Sequence, residues 1–215
     1  MWWSPWDTEG LPDRYCVLGW EHSESGVPAA HGFADRSFAR RKVFPDITLS
    51  EVREVLAARL ATFVSESEGC YGIDGFKLDH LGAVAPRYGL EFPEGSRKVV
   101  GVDLLHEYLE MMRSVIEACG RECVIVGHSP SPRFSQLMDA VRIGPIYVAE
   151  EARIEPEMRR RAALVRAVSP RWAIDTDGWP IASVRGLRRY ASIQSELGTP
   201  SLYYASHLDV SGEKI

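Results

Sequence analysis

Residues 71 to 80 read Tyr71-Gly72-Ile73-Asp74-Gly75-Phe76-Lys77-Leu78-Asp79-His80. A strand-like stretch carrying Ile73, Phe76 and Leu78 ends abruptly in Lys77, Asp79 and His80. A buried parallel strand carries charge cheaply only where it leaves the sheet, because an isolated interior carboxylate is costly to desolvate. That exit point, the carboxyl end of the strand, is where parallel α/β folds bind ligands and do chemistry. Asp79 is therefore the leading candidate for a reacting group. The alternative, a structural carboxylate capping a nearby loop, stays open at this point.

Working outward, the chain alternates strands and helices. Thr48-Leu49-Ser50-Glu51 has the pattern of a capping box. Val52, Val55, Leu56, Leu60 and Phe63 then recur at helical spacing and predict a helix over 49 to 65. A second helix is expected over 102 to 118, with Leu105, Tyr108, Leu109, Met112, Val115 and Ile116 on one face and Gly120 as its stop. Cys123 to Val126 reads as a buried parallel strand, followed by a weaker one over 140 to 143. A helix beginning near Pro156 runs to Val168, and a brief strand covers 172 to 174. A helix over 183 to 196, stopped by Gly198, and a last strand over 201 to 204 complete the series. Residues 1 to 3 and 16 to 18 are also strand-like, and residues 21 to 45 are expected to be one irregular insertion.

Alternation of this kind implies a parallel sheet, either open and doubly wound or closed as a barrel. Polar, glycine, proline or aromatic residues follow nearly every strand: Ser4 to Asp7, Asp79-His80, Gly127 to Pro130, Gly144-Pro145, Asp175 to Trp179, and Ser206-His207 with Asp209. That distribution favours a (β/α)8 TIM-type barrel, since an open sheet concentrates its functional groups at one switch point. A complete barrel takes about 250 residues, and this chain has 215 with about six convincing strands. The expectation is an α/β chain forming one incomplete barrel over 1 to 215, with its first strands missing.

Bulk properties narrow the partners. Hydrophobic content of 45% and charged content of 26% are those of a water-soluble globular protein. A net charge of -5 argues against nucleic acid or an anionic membrane, both of which demand a basic face. The one basic cluster, Arg159 to Arg161 with Arg166, falls in a helical pattern and reads as a solvated helix face. No segment approaches the roughly 20 apolar residues of a membrane span, and the N-terminus has no signal-peptide pattern. Cys16, Cys70, Cys119 and Cys123 lack the spacing of a zinc or redox site, so they read as reduced thiols in a cytoplasmic protein. Cys119 and Cys123 flank a helix-to-strand turn, which leaves a pairing open.

Gly72 to Asp79 resembles the nucleophile strand of the α-galactosidase-like glycoside hydrolases, family 36 and its relatives, which place a Lys-x-Asp at a barrel strand end. Met1-Trp2-Trp3-Ser4-Pro5 is similar to an earlier strand of that group. Asp139 to Pro145 is similar to its acid/base strand, and Trp172 to Asp177 to its N-D-P-D strand. The likeness spans nearly the whole chain in order. It implies a retaining glycoside hydrolase acting on α-linked sugars, most simply α-galactosides, with Asp79 as nucleophile. By the same resemblance Lys77 hydrogen-bonds a sugar hydroxyl, Arg142 contacts substrate or orients the second carboxylate, and Trp2, Trp3 and Trp6 offer an apolar platform. Asp7, His128, Ser129, Arg133 and Asp177 are further candidates for hydrogen bonds to a sugar. The implied partner is a small carbohydrate. No cofactor and no metal are called for, because two carboxylates suffice for glycosidic cleavage.

The resemblance breaks at the second carboxyl. A retaining mechanism sets it about 5 to 5.5 Å from the first. Ile146 and Tyr147 stand where the family pattern has an acid. Glu150 or Glu151, a few residues on, could reach back if the loop is rearranged, and Asp175 and Asp177 lie on the next strand. Glu150 is chosen as acid/base, and Tyr147 is a poor substitute with an ordinary pKa of about 10. Two other readings remain: a non-catalytic sugar-binding barrel, and a metal-dependent barrel hydrolase using Asp79, His80, His128, Asp175, Asp177, His207 and Asp209. The second lacks any HxH or HExxH pair.

Overall fold

A computed structural model describes residues 1–22, 38–81, 89–144, 151–177 and 183–200. In chain order its elements are β1 (Trp2–Trp3), β2 (Cys16–His22), β3 (Phe38–Pro45), α1 (Ser50–Val64), β4 (Gly75–Leu78), α2 (Gly101–Ala118), β5 (Val124–Gly127), β6 (Ala140–Arg142), α3 (Ile154–Val168), β7 (Ala173–Asp175) and α4 (Val184–Leu197). They fall into two compact units: Met1–Trp3, Ile73–Asp79 and Glu122–Ile215 form one, Ser4–Gly72 and His80–Arg121 the other.

The first unit is built on a parallel sheet in the order β1-β4-β5-β6-β7. Chain order and spatial order agree along it, the signature of strands returned each time by a crossover. A parallel bridge between Asp175 and Thr199 carries the same direction one step beyond β7. The chain is thus α/β with a mostly parallel sheet, as the alternation of patterns predicts. Residues 201 to 204, expected as a last strand, lie outside the described residues.

The register decides what each sheet face carries. Trp2 pairs with Lys77, Lys77 with Val126, Val126 with Ala140, and Arg142 with Asp175. Paired residues point the same way and successive residues alternate. One face therefore holds Trp2, Lys77, Val126, Ala140, Arg142 and Asp175. Trp3, Phe76, Leu78, Ile125, Val141 and Ile174 point the other way, and all but the half-buried Trp3 are buried. Trp3 meets Phe76 edge-on at 6.0 Å.

Helices α3 and α4 pack on one another within this unit. Ile154, Met158, Ala162 and Val165 form the buried stripe of α3. Ser183 caps α4 by accepting a hydrogen bond from Gly186 N (3.0 Å). Gly198 follows α4 with an extended backbone. Its glycine requirement is one of space, because a Cβ there would stand 2.3 Å from the Ile174 carbonyl oxygen.

In the second unit α1 and α2 pack together, and β2 pairs antiparallel with β3. The face predicted for α2 is buried, and Gly120 stops the helix in the left-handed conformation that favours glycine. Two expectations change. The N-cap of α1 is Leu49, without a side-chain cap, so the capping box does not form. Thr48 Oγ1 is engaged elsewhere: it donates to Asp46 Oδ1 (2.6 Å) and accepts from Arg97 N (3.1 Å). Within the stretch expected to be irregular, 38–45 is a strand, because a β2 partner supplies the ladder that the Arg40-Arg41-Lys42 charge run conceals in the sequence. Residues 23 to 37 of that stretch lie outside the described residues. All four cysteines are free thiols, so Cys119 and Cys123 do not pair. Among the described residues, no helix is long and apolar enough to cross a membrane.

Candidate functional site

The site lies at the carboxyl ends of β4, β5, β6 and β7, on the face shared by Lys77 and Arg142. Asp79 N donates to Trp3 O (2.9 Å), which extends the β1–β4 ladder one step past Leu78. Alternation then sets Asp79 on the face of Lys77. The next residue, His80, takes a left-handed φ of 57°, uncommon away from glycine, so the chain turns directly after Asp79.

Four strand ends converge through charge. Arg142 Nη2 donates to Asp79 Oδ1 at 3.1 Å, and Arg142 Nη1 stands 3.6 Å from Asp177 Oδ2. Lys77 Nζ lies 2.7 Å from Asp175 Oδ2 and 2.7 Å from Asp177 Oδ2. Asp177 N closes a local turn by donating to Asp175 Oδ1 (2.9 Å), so both carboxylates project toward one ammonium. His128 Nε2, just beyond β5, is 4.0 Å from Asp79 Oδ1.

Exposure separates the three carboxylates. The Asp79 side chain is 36% exposed, those of Asp175 and Asp177 only 10% and 6%. Asp79 is the carboxylate open to a ligand, and the other two are buried counter-ions of Lys77 and Arg142. Arg142 Nε is buried without a hydrogen-bond acceptor among the described residues. Trp2, 43% exposed, spreads its ring by both cations, with Lys77 Nζ 4.8 Å and Arg142 Cζ 5.2 Å from its centroid. Such contacts contribute roughly 0.5 to 1 kcal/mol each at exposed sites.

The structure thus gathers Trp2, Lys77, Asp79, His128, Arg142, Asp175 and Asp177, all of them sequence candidates. Trp3 points to the apolar face. Trp6 belongs to the second unit, where its ring packs by Phe44 and Tyr108 and its Nε1 donates to His80 O (2.9 Å). Asp7 is exposed in that unit, and its Oδ1 accepts from Glu9 N. Arg133 is exposed on the helical turn Pro132–Phe134. Glu150, Ile146, Tyr147, His207 and Asp209 lie outside the described residues. Among the described residues no three His, Cys, Asp or Glu side chains are grouped to hold a metal ion.

Sequence reasoning missed two further members, Tyr190 and Gln194 of α4. Both are buried, and both donate to the carbonyl oxygen of Thr176, the residue between the two buried aspartates. A signal existed: they sit in the otherwise apolar series Leu187, Tyr190, Ile193, Gln194, Leu197, and a buried glutamine implies a fixed partner.

No protein-family model matches the chain, and no curated protein matches it in sequence. Among solved structures the chain is similar to Ega3 of Aspergillus fumigatus in complex with galactosamine. That likeness has a TM-score of 0.49 at 11% identity, covering 88% of this chain and 67% of that one.

Proposed function

We propose that this chain is a sugar-active hydrolase: a retaining glycoside hydrolase on a (β/α)8-type barrel scaffold, acting on α-linked sugars of the α-galactoside kind with Asp79 as nucleophile. One observation carries the reading. Of three carboxylates clustered at the strand ends, only Asp79 combines access to ligand with an oxygen held by a guanidinium. In a retaining reaction it attacks the anomeric carbon as the glycosidic bond breaks, giving a glycosyl-enzyme that water then hydrolyses. Arg142 fixes the direction of one Asp79 oxygen. Glu150 is the proposed acid/base, giving its proton to the leaving oxygen and recovering it from the attacking water. Parallel strands with a polar face and a buried apolar one support the barrel reading.

The test is hydrolysis of an aryl α-galactoside by the protein and by Asp79→Asn. Turnover that falls at least about a hundredfold in the variant, with an unchanged denaturation midpoint, is the expected result. Equal turnover in both removes Asp79 from the mechanism. A second reading, a non-catalytic sugar-binding barrel, is favoured by the burial of Asp175 and Asp177 against cations, which leaves neither available as a proton donor. Stabilisation by galactose without any hydrolysis selects it.

A further inference from the structure

We infer that Tyr190 and Gln194 are positioning residues, which aim the charged network of the site from α4 through the Thr176 carbonyl. The functional consequence rests on the proposed hydrolase, but the positioning itself does not. Asp175, Thr176 and Asp177 are consecutive at the end of β7, so their side chains alternate between the two faces. The aspartates reach Lys77 and Arg142 on the polar face. Thr176 between them is fully buried, and its carbonyl oxygen accepts from the Tyr190 hydroxyl and from Gln194 Nε2 (3.1 Å). Its N and Oγ1 donate to Thr199 O at 3.2 and 2.8 Å. The peptide linking the two aspartates is therefore tied at both ends, one end by α4 and the other by the strand-like segment at Thr199.

A strand end past its last ladder bond ordinarily frays, because its carbonyls turn to water. Here the carbonyl is taken up by a phenol and an amide inside the core. Rotation of that peptide would swing both carboxylates off the single Lys77 ammonium, so α4 sets the direction of the pair. Arg142 then transmits that position to Asp79, since it spans Asp177 and Asp79.

The chain has four lysines, Lys42, Lys77, Lys98 and Lys214, so site-resolved amine labelling is simple to read. Brief reductive methylation followed by peptide mass spectrometry measures the modification rate at Lys77 against the exposed Lys98. Tyr190→Phe removes one hydroxyl from a ring that stays packed, and Gln194→Leu removes the amide at similar volume. In each variant the Lys77 rate, normalised to Lys98, is expected to rise by more than about twofold, since a carbonyl held by one donor in place of two lets the peptide between the aspartates turn and frees the ammonium part of the time. The aryl α-galactosidase activity of the same variants should fall in kcat with KM within about twofold. Lys77 labelling within twofold of the parent in both variants overturns the inference, whatever the activity. Raised labelling with no activity in any form upholds the positioning and removes the hydrolase reading instead.

Discussion

Replacing Lys77 by methionine tests the electrostatic core of the site. The ammonium lies 2.7 Å from an oxygen of each of two carboxylates whose side chains are 10% and 6% exposed. Removing one partner of a buried ion pair typically costs about 3 to 5 kcal/mol, because a desolvated charge is left without compensation. Two carboxylates lose their ammonium at once, which points to the upper end. Against that, Arg142 Nη1 remains 3.6 Å from Asp177, and Lys77 itself is 20% exposed, so water reaches the site. The balance is about 3 kcal/mol, or roughly 6 to 12 °C in Tm for a chain of this length. Urea denaturation at pH 7, followed by circular dichroism, measures it. Lys77→Arg retains the charge and should lose less than half as much. Adding Asp175→Asn and Asp177→Asn to Lys77→Met should recover about 2 kcal/mol, since neutral amides need no counter-ion. A Lys77→Met protein within about 1 kcal/mol of the parent would refute the idea that this ammonium compensates two buried charges.

Two further outcomes concern regions away from the site. Hydrogen bonding by Arg160, with Arg161 adding to it, holds the Glu157 carboxyl down at about 2 from an ordinary 4.5. A depressed folded-state pKa gives stability that is present above pH 4.5 and lost as pH falls from there toward 2. Glu157→Gln should thus cost about 1 kcal/mol at pH 7, as expected for helical pairs at a surface, and nothing near pH 2; equal cost at both would count against the pairing. Burial pushes the Cys16 thiol up to about 11, so almost no thiolate forms at pH 8. Iodoacetamide should label the half-buried Cys70 and Cys119 first and reach Cys16 only on denaturation, and rapid Cys16 labelling in the folded protein would contradict its burial.

Much of this architecture is legible in residue order because it rests on local periodicity. Apolar residues at helical spacing mark α2 and α3, and short β-branched runs mark β5. The Lys77-x-Asp79 step places both side chains on one face by the period of two alone. The charge of Asp79 at a strand exit, and the Asp175-x-Asp177 repeat, follow from the same alternation.

What residue order leaves undecided is which charge meets which. Lys77 and Asp175 are 98 positions apart, and their pairing exists only because parallel register brings β4, β5, β6 and β7 side by side with ends level. Sequence groups Trp2, Trp3 and Trp6 together. Tertiary structure separates them: Trp2 lies by the two cations, Trp3 faces Phe76, and Trp6 packs beside Tyr108. It also divides three chemically alike aspartates into one accessible group and two buried counter-ions. The cause is desolvation, which depends on everything packed around an atom and hardly at all on its neighbours along the chain.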